Sequence, residues 1–104
     1  MDNFDILVWD LIKKVPKGKV VTYKSLALKL NTNNFRRIGL ACKKSPGFEK
    51  GVPCHRVVSS NGFLHGFNKG LERKKFLLEK EGFVLKKVND DFKIVDFENK
   101  LFKL

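Results

Sequence analysis

Apolar positions recur at helical spacing near the start of the chain. Phe4, Leu7, Val8, Leu11 and Ile12, with Trp9 beside them, predict an amphipathic helix over residues 3–14. Pro16-Lys17-Gly18 breaks it. Val20-Val21-Thr22 is a short extended piece, and Thr22 can cap a helix running from Tyr23 to about Leu30. The polar turn Asn31-Thr32-Asn33-Asn34 ends on a good N-cap, so a second helix is predicted from Phe35 to about Lys44. Phe35, Ile38, Ala41 and Cys42 form its apolar stripe. Arg36, Arg37, Lys43 and Lys44 lie away from that stripe, and small Gly39 and Ala41 let the helix approach another surface closely. Helix, four-residue turn and helix together read as a helix-turn-helix, and a basic outer face on the second helix suits DNA docking. An ordinary solvated face on a short helix has the same pattern.

Beyond this unit the periodicity weakens. Ser45 to Gly51 is a loop, followed by Pro53-Cys54-His55-Arg56-Val57-Val58, in which the valines extend the chain towards a turn at Ser60-Asn61-Gly62. Phe63 to Gly70 is punctuated by glycine; such a loop can close over a small flat group or simply cover the surface. Leu71 to Glu81 is a predicted helix with Gly82 as its C′ residue. Phe83–Val88 and Phe92–Phe97, around Asn89-Asp90-Asp91, predict a β-hairpin, and Glu98 to Leu104 either adds a strand or frays. The expected fold is a mainly α domain with a small β component. It is a winged-helix-like helix-turn-helix domain over residues 1–82, with a C-terminal extension over 83–104 whose hairpin packs on the same domain.

Length and charge narrow the function. A chain of 104 residues holds one domain with one modest core. Its net charge is +11, and from Leu11 to Phe48 ten Lys or Arg occur with no Asp or Glu. Such a field attracts polyanions, although abundant Lys, Asn and Phe with no Gln also fit a lysine-rich composition and a merely soluble surface. Cys42 and Cys54 do not make a disulfide framework. The opening residues Met1 to Asp5 are acidic rather than basic and no apolar run approaches membrane-spanning length. The sequence therefore predicts no signal peptide, no membrane partner and a reducing interior, cytoplasmic or, in a eukaryote, nuclear. No metal site is expected, since there is no C-x-x-C and adjacent Cys54 and His55 are poorly placed to share one ion.

The candidate chemistry sits at Cys54 and His55. A thiol attacks only when ionised, and an imidazole promotes that ionisation. Pro53 fixes its own φ and biases Val52 towards an extended conformation, giving the cysteine a stiff approach. A bare Cys-His pair is also what a small buried cysteine beside a satisfied histidine looks like. Glu81 adds a second signal. Leu71, Lys74, Leu78 and Glu81 share one side of their helix, which places a carboxylate in the last turn, where the dipole disfavours it. It needs a partner. His55 is one candidate; Lys74, Lys80 or a lysine beyond the helix are others.

The order of motifs resembles the O6-alkylguanine-DNA alkyltransferase family in its C-terminal, DNA-binding domain. The match runs through Val15-Pro16-x-Gly18, Thr22-Tyr23-x-x-Leu26-Ala27, Pro53-Cys54-His55-Arg56-Val57, Gly70-Leu71-Glu72-x-Lys74 and Leu77-Leu78-x-x-Glu81-Gly82. It covers Phe4 to Gly82, roughly three-quarters of the chain, and the Pro-Cys-His-Arg-Val core is its most specific part. The resemblance implies a monomer that binds double-stranded DNA containing O6-alkylguanine through the minor groove. It implies that the protein flips the damaged base out and moves the alkyl group irreversibly to its own cysteine, without cofactor or metal. Cys54 would then be the nucleophile, His55 the base acting through a water, and Glu81 the residue that orients His55. Tyr23 would crowd the target phosphate and help protonate the leaving guanine. Arg36 falls at the position that fills the gap left by the flipped base, with Arg37 one residue away. Gly39 and Ala41 match small residues on the helix laid into the groove. Lys43, Lys44, Ser45, Arg56, Phe67 and Asn68 complete the expected DNA- and substrate-binding set.

Three departures accompany the match. Ser45-Pro46 stands where the family usually has Asn-Pro, so Ser45 would supply part of the bonding that braces the active-site turn. Phe67 replaces the pocket tyrosine and loses its hydroxyl. The chain as given starts almost at the first helix of the match, without the usual N-terminal domain. Two other readings compete: an alkyltransferase-like protein that recognises damage without transfer, and a plain helix-turn-helix DNA-binding protein. The first usually lacks the cysteine that Cys54 provides; the second leaves His55 and Glu81 unexplained.

Overall fold

The computed structural model describes residues 3–64 and 70–104. Phe67 and Asn68, expected to line the substrate pocket, lie outside them. Four α-helices follow one another as α1 (Asn3–Lys13), α2 (Tyr23–Lys29), α3 (Phe35–Lys44) and α4 (Leu71–Lys80). The strands are β1 (Val21–Thr22), β2 (Val57–Val58), β3 (Leu85–Val88) and β4 (Asp91–Ile94). Fold class is therefore as the sequence predicts: mainly α, with a helix-turn-helix in α2–α3 and a C-terminal hairpin. Among the described residues no helix is long and apolar enough to cross a membrane.

The local chemistry explains the boundaries. Thr22 caps α2 through a reciprocal pair: Ser25 N donates to Thr22 Oγ1 at 3.0 Å and Thr22 N donates to Ser25 Oγ at 3.1 Å. Asn34 Oδ1 accepts from Arg37 N at 3.1 Å and starts α3. The α4 helix ends in a Schellman motif. Gly82, at φ +96°, lets its own N–H reach Glu79 O while Phe83 N reaches Leu78 O.

β1 and β2 pair in parallel, Val21 opposite Val57 and Thr22 opposite Val58. Successive strand residues point to opposite faces, and here the faces serve different cores. Val21 and Val57 join a cluster with Val8, Ile12, Leu26, Ile38 and Cys54, built on α1, α2 and α3. Val20 and Val58 join a second with Leu64, Leu78, Phe83, Phe92 and Ile94, built on α4 and the hairpin. This two-strand ribbon is thus the partition between the cores, and the Cys54–Arg56 segment feeds directly into it. The tail adds to the ribbon rather than fraying: Val20 N donates to Lys100 O at 2.9 Å and Phe102 N to Val20 O at 2.8 Å.

Three apolar or turn assignments need correcting. Leu7 is 52% exposed, and Asp5 takes its place on the buried face of α1. Phe35 lies outside the apolar stripe of α3, being 49% exposed. Asp91 belongs to β4, opposite Val88, so the hairpin turn is Asn89-Asp90, with Asn89 in the left-handed region at φ +56°. In each case a neighbouring constraint outweighed the pattern: an ion pair for Asp5, the helix start for Phe35 and a residue tolerating positive φ for Asn89.

Candidate active site

The segment from Gly47 to Val58 is wound tightly by its own backbone. A 3₁₀ turn spans Phe48–Lys50, and Gly51 closes it in the left-handed conformation at φ +87°, its N–H bonded to Phe48 O at 2.9 Å. Pro53, at φ −79° and ψ +68°, is the centre of an inverse γ-turn in which Cys54 N reaches Val52 O at 2.8 Å. Proline is suited to that place because its ring already sets φ. A second 3₁₀ turn then holds Cys54, His55 and Arg56, with Arg56 N bonded to Pro53 O at 2.9 Å. All three side chains are buried.

These three residues meet groups from elsewhere in the chain. Cys54 Sγ is hydrogen-bonded to Ser45 Oγ, which follows the last turn of α3. His55 Nε2 lies 2.9 Å from Glu81 Oε2. Arg56 grips the same carboxylate with two bonds, Nε to Oε1 at 2.9 Å and Nη2 to Oε2 at 2.6 Å. Its Nη1 donates to Val15 O at 2.8 Å. Glu81 therefore turns inward, away from the lysines of its own helix. Burial of this carboxyl disfavours its charge, but the bonds from Arg56 and His55 and the charges behind them hold it below the usual carboxylate range. An ionised carboxylate only accepts, so the proton of a neutral His55 sits on Nε2 and Nδ1 carries the lone pair. That Nδ1 is buried with no protein hydrogen-bond partner among the described residues. Burial also holds the imidazole below its ordinary pKa, against the hydrogen bond and charge of Glu81, so His55 is neutral near pH 7. Phe48 packs edge-on against it, ring centroids 5.2 Å apart.

One member of this cluster was expected only as an alternative partner for Glu81. Lys74 is fully buried in α4, its Nζ donating to Leu64 O at 2.7 Å and lying 5.9 Å from the Tyr23 ring centroid. Burial pulls its pKa down to about 8. Its position on the apolar side of α4, between Leu71 and Leu78, was the sequence signal available. Burial raises the Cys54 thiol, while Ser45, the cysteine's own backbone N–H and the Lys74 charge act to lower it. Cys42 differs: burial, reinforced by the Cys54 charge, pushes its thiol up to about 12, leaving it a packed, inert side chain. Burial and the two thiols likewise push the Tyr23 phenol up, so it remains a proton donor.

The structure sorts the basic residues that the sequence grouped together. Arg37 Nη1 binds Asp5 Oδ1 at 2.7 Å and its guanidinium lies over Phe4, 4.8 Å from the ring centroid. Arg36 is exposed, one residue earlier on the helix. Arg37 thus ties α3 to α1, while Arg36 is presented to solvent. Lys43 and Lys44 are exposed, Lys44 3.9 Å from Asp5. Ala41 is buried against α1, its carbonyl accepting from Trp9 Nε1 at 2.8 Å, so it does not line the outer face as expected; Leu40, 41% exposed, does. A Cβ at Gly39 would meet nothing within 4 Å, which leaves that turn open to an approaching surface. Arg56 is likewise buried, its guanidinium bonded to Glu81 and Val15. Among the described residues no three His, Cys, Asp or Glu side chains cluster as metal ligands.

Beside a helix-turn-helix of the DNA-binding type, a buried turn holds a cysteine and a histidine, and a glutamate from the end of α4 is bonded to that histidine. The chain belongs to the family of the 6-O-methylguanine DNA methyltransferase DNA-binding domain, whose model matches residues 3–83. A methylated-DNA–protein-cysteine methyltransferase of Methanocaldococcus jannaschii is 46% identical over 79 residues, covering 76% of this chain and 46% of the relative. Its counterpart in Thermococcus gammatolerans is 53% identical over 72 residues, covering 69% and 40%. The chain spans about half the length of the curated relatives it matches. Among solved structures, the O6-methylguanine-DNA methyltransferase of Pyrococcus kodakaraensis superposes with a TM-score of 0.70 at 43% identity, covering 79% of this chain and 47% of that one. S. pombe Atl1, in complex with damaged DNA containing O6-carboxymethylguanine, superposes with a TM-score of 0.84 at 30% identity, covering 100% and 98%.

Proposed function

We propose that this protein repairs O6-alkylguanine, chiefly O6-methylguanine, in double-stranded DNA by taking the alkyl group onto Cys54. One observation carries the reading above all: Glu81 holds the Nε2 proton of His55 and leaves a buried, basic Nδ1 on the residue next to the thiol. Cys54 loses its proton to that nitrogen through one water. The thiolate attacks the methyl carbon; the S–C bond forms as the C–O6 bond breaks, and the electron pair leaves with guanine. Tyr23, held protonated by burial, donates a hydrogen bond to the departing base, and the proton that His55 accepted restores neutral guanine. The product is a thioether and restored guanine. A thioether is a stable product, so each molecule acts once.

Binding has its own residues. Arg36 stands where a side chain would fill the stack after the base is flipped, and exposed Lys43 and Lys44 would meet phosphates. Open space at Gly39 would let α3 sit close to the groove, which supports minor-groove docking. A recognition-only role is favoured by one finding, the whole-chain likeness to Atl1, which includes the C-terminal hairpin. Cys54 and its relay are what that role would not need.

The experiment is intact mass and peptide mapping after incubation with a duplex containing O6-methylguanine. One methyl group on Cys54, and none on Cys42, is the expected outcome. An unmodified protein that nevertheless binds the damaged duplex selectively would establish the recognition role instead.

A further inference from the structure

We infer that the Ser45 hydroxyl is a catalytic hydrogen-bond donor to the Cys54 sulfur, holding the thiolate in a site that otherwise disfavours it. This deepens the repair reading and rests on Cys54 as the nucleophile. A serine that merely braced the turn would bond to backbone, but its Oγ is bonded to the reacting atom. The bond has a direction once the sulfur ionises. Between a thiol and a hydroxyl either can donate; a thiolate only accepts, so the hydroxyl must.

The position makes such a donor necessary. Ser45 is the C-cap of α3, its N–H bonded to Cys42 O at 3.2 Å, so the sulfur it touches lies beside a helix C-terminus. The carbonyls there carry the negative end of the helix dipole and oppose an anion. Burial of Cys54 opposes it further. His55 compensates by charge only once it holds the proton, and burial disfavours that charge. Three groups oppose these penalties: the Ser45 hydroxyl, in contact, the cysteine's own backbone N–H, and the Lys74 ammonium, at longer range; of these, Ser45 is the one side chain bonded to the sulfur. A charge-assisted bond is roughly twice as strong as a neutral one, and it forms only in the ionised state.

Ser45→Thr and Ser45→Val test this as a pair, since they share a branched shape and differ in the hydroxyl alone. Cys54 alkylation by iodoacetamide, followed by peptide mapping across pH, reads the thiolate without DNA. Ser45→Thr should keep the parent profile. Ser45→Val should displace it upward by about one pH unit, a roughly tenfold loss of thiolate near neutrality, with methyl transfer slowed by a similar factor. Thermal melting of both variants confirms that they fold. Coincident profiles for Ser45→Thr and Ser45→Val would overturn the inference, even if both differ from the parent. The repair reading fails separately: a parent protein that never takes a methyl group sinks it, while a hydroxyl-dependent alkylation profile in the same protein would still uphold the role of Ser45.

Discussion

The outer face of α3 and the buried turn at Cys54–Arg56 hold charge in opposite ways. On α3, Arg36, Lys43 and Lys44 remain in water, and Lys44 approaches its nearest carboxylate only to 3.9 Å. In the turn, Arg56, Glu81 and His55 are removed from water and fixed by bonds of 2.6 to 2.9 Å. The first arrangement produces a field. It attracts a polyanion over roughly 8 Å at physiological salt and costs little to mount. The second produces a defined protonation state, which requires that every charged group have a partner. Charge used for capture is left loose, and charge used for chemistry is pinned.

Removing the centre of the pinned region should have the largest effect. Cys54→Ala should abolish methyl transfer altogether while leaving affinity for the duplex near the parent value, as a gel-shift titration would check. A matching loss of affinity would mean that the turn and the α3 face are one functional unit.

Glu81→Gln comes next. The sequence, which places this carboxylate against the helix dipole, expects folding to survive the change. The structure revises that expectation, because the amide leaves the Arg56 guanidinium buried without its carboxylate. Unfolding stability should fall by about 3 kcal/mol in a denaturant titration. Single-turnover transfer should slow by roughly ten- to a thousandfold, because the residue orients an acid–base group. Stability against pH sharpens the point. Glu81 and His55 both have lowered pKa values, so the folded state binds fewer protons than the unfolded chain. Stability in the parent should therefore begin to fall as pH drops below about 6.5, from His55, and fall further below about 4.3, from Glu81. Glu81→Gln should lose the second decline, and a calorimetric series across pH would see its absence.

The loose region should respond more gently and in a different quantity. Arg36→Ala should reduce base flipping, read by a fluorescent base reporter, more than it reduces general affinity, since unstacking a base costs a few kcal/mol. A change confined to the salt dependence would make Arg36 another phosphate contact. Asp5→Asn should cost about 2 kcal/mol of stability without altering affinity, because Asp5 pins Arg37 and not the exposed Arg36. Smallest of all, Lys43→Ala should lower the slope of log affinity against log salt by about one.

Local signals carried most of the fold. The capping pair at Thr22, the Asn34 cap and the Gly82 terminus are each decided within a few residues, and α2, α3 and α4 begin and end close to where these signals fall. The meeting of Glu81 with His55 was legible for a related reason: a carboxylate misplaced against a dipole demands a partner, although the lysines nearby competed until the fold was known. Side-chain partnerships across the chain were not legible. Whether Arg36 or Arg37 faces outward depends on Asp5, 32 residues from Arg37, and Asp5 interrupts an apolar run that Leu7 fits better. Arg56 reads as a surface cation until Val15 and Glu81 close around it. Lys74 shares its helix side with Leu71 and Leu78, a signal that it turns inward, but its bond to Leu64 depends on the fold.

The pairing of the tail with Val20 has a kinetic meaning. Val20 and Phe102 lie far apart in sequence, so the bonds of Lys100 and Phe102 to Val20 cannot form until synthesis has passed residue 102. The helices of the first half are local and can form early; closing so long a loop carries an entropy cost that must be met before the ribbon is complete. Emerging from a ribosome, the domain would hold its DNA-reading unit before it could seal the wall between its two cores. The amides of Val20 and Phe102 should then be among the last to gain protection in pulsed hydrogen exchange, marking the step at which the molecule becomes a single cooperative unit.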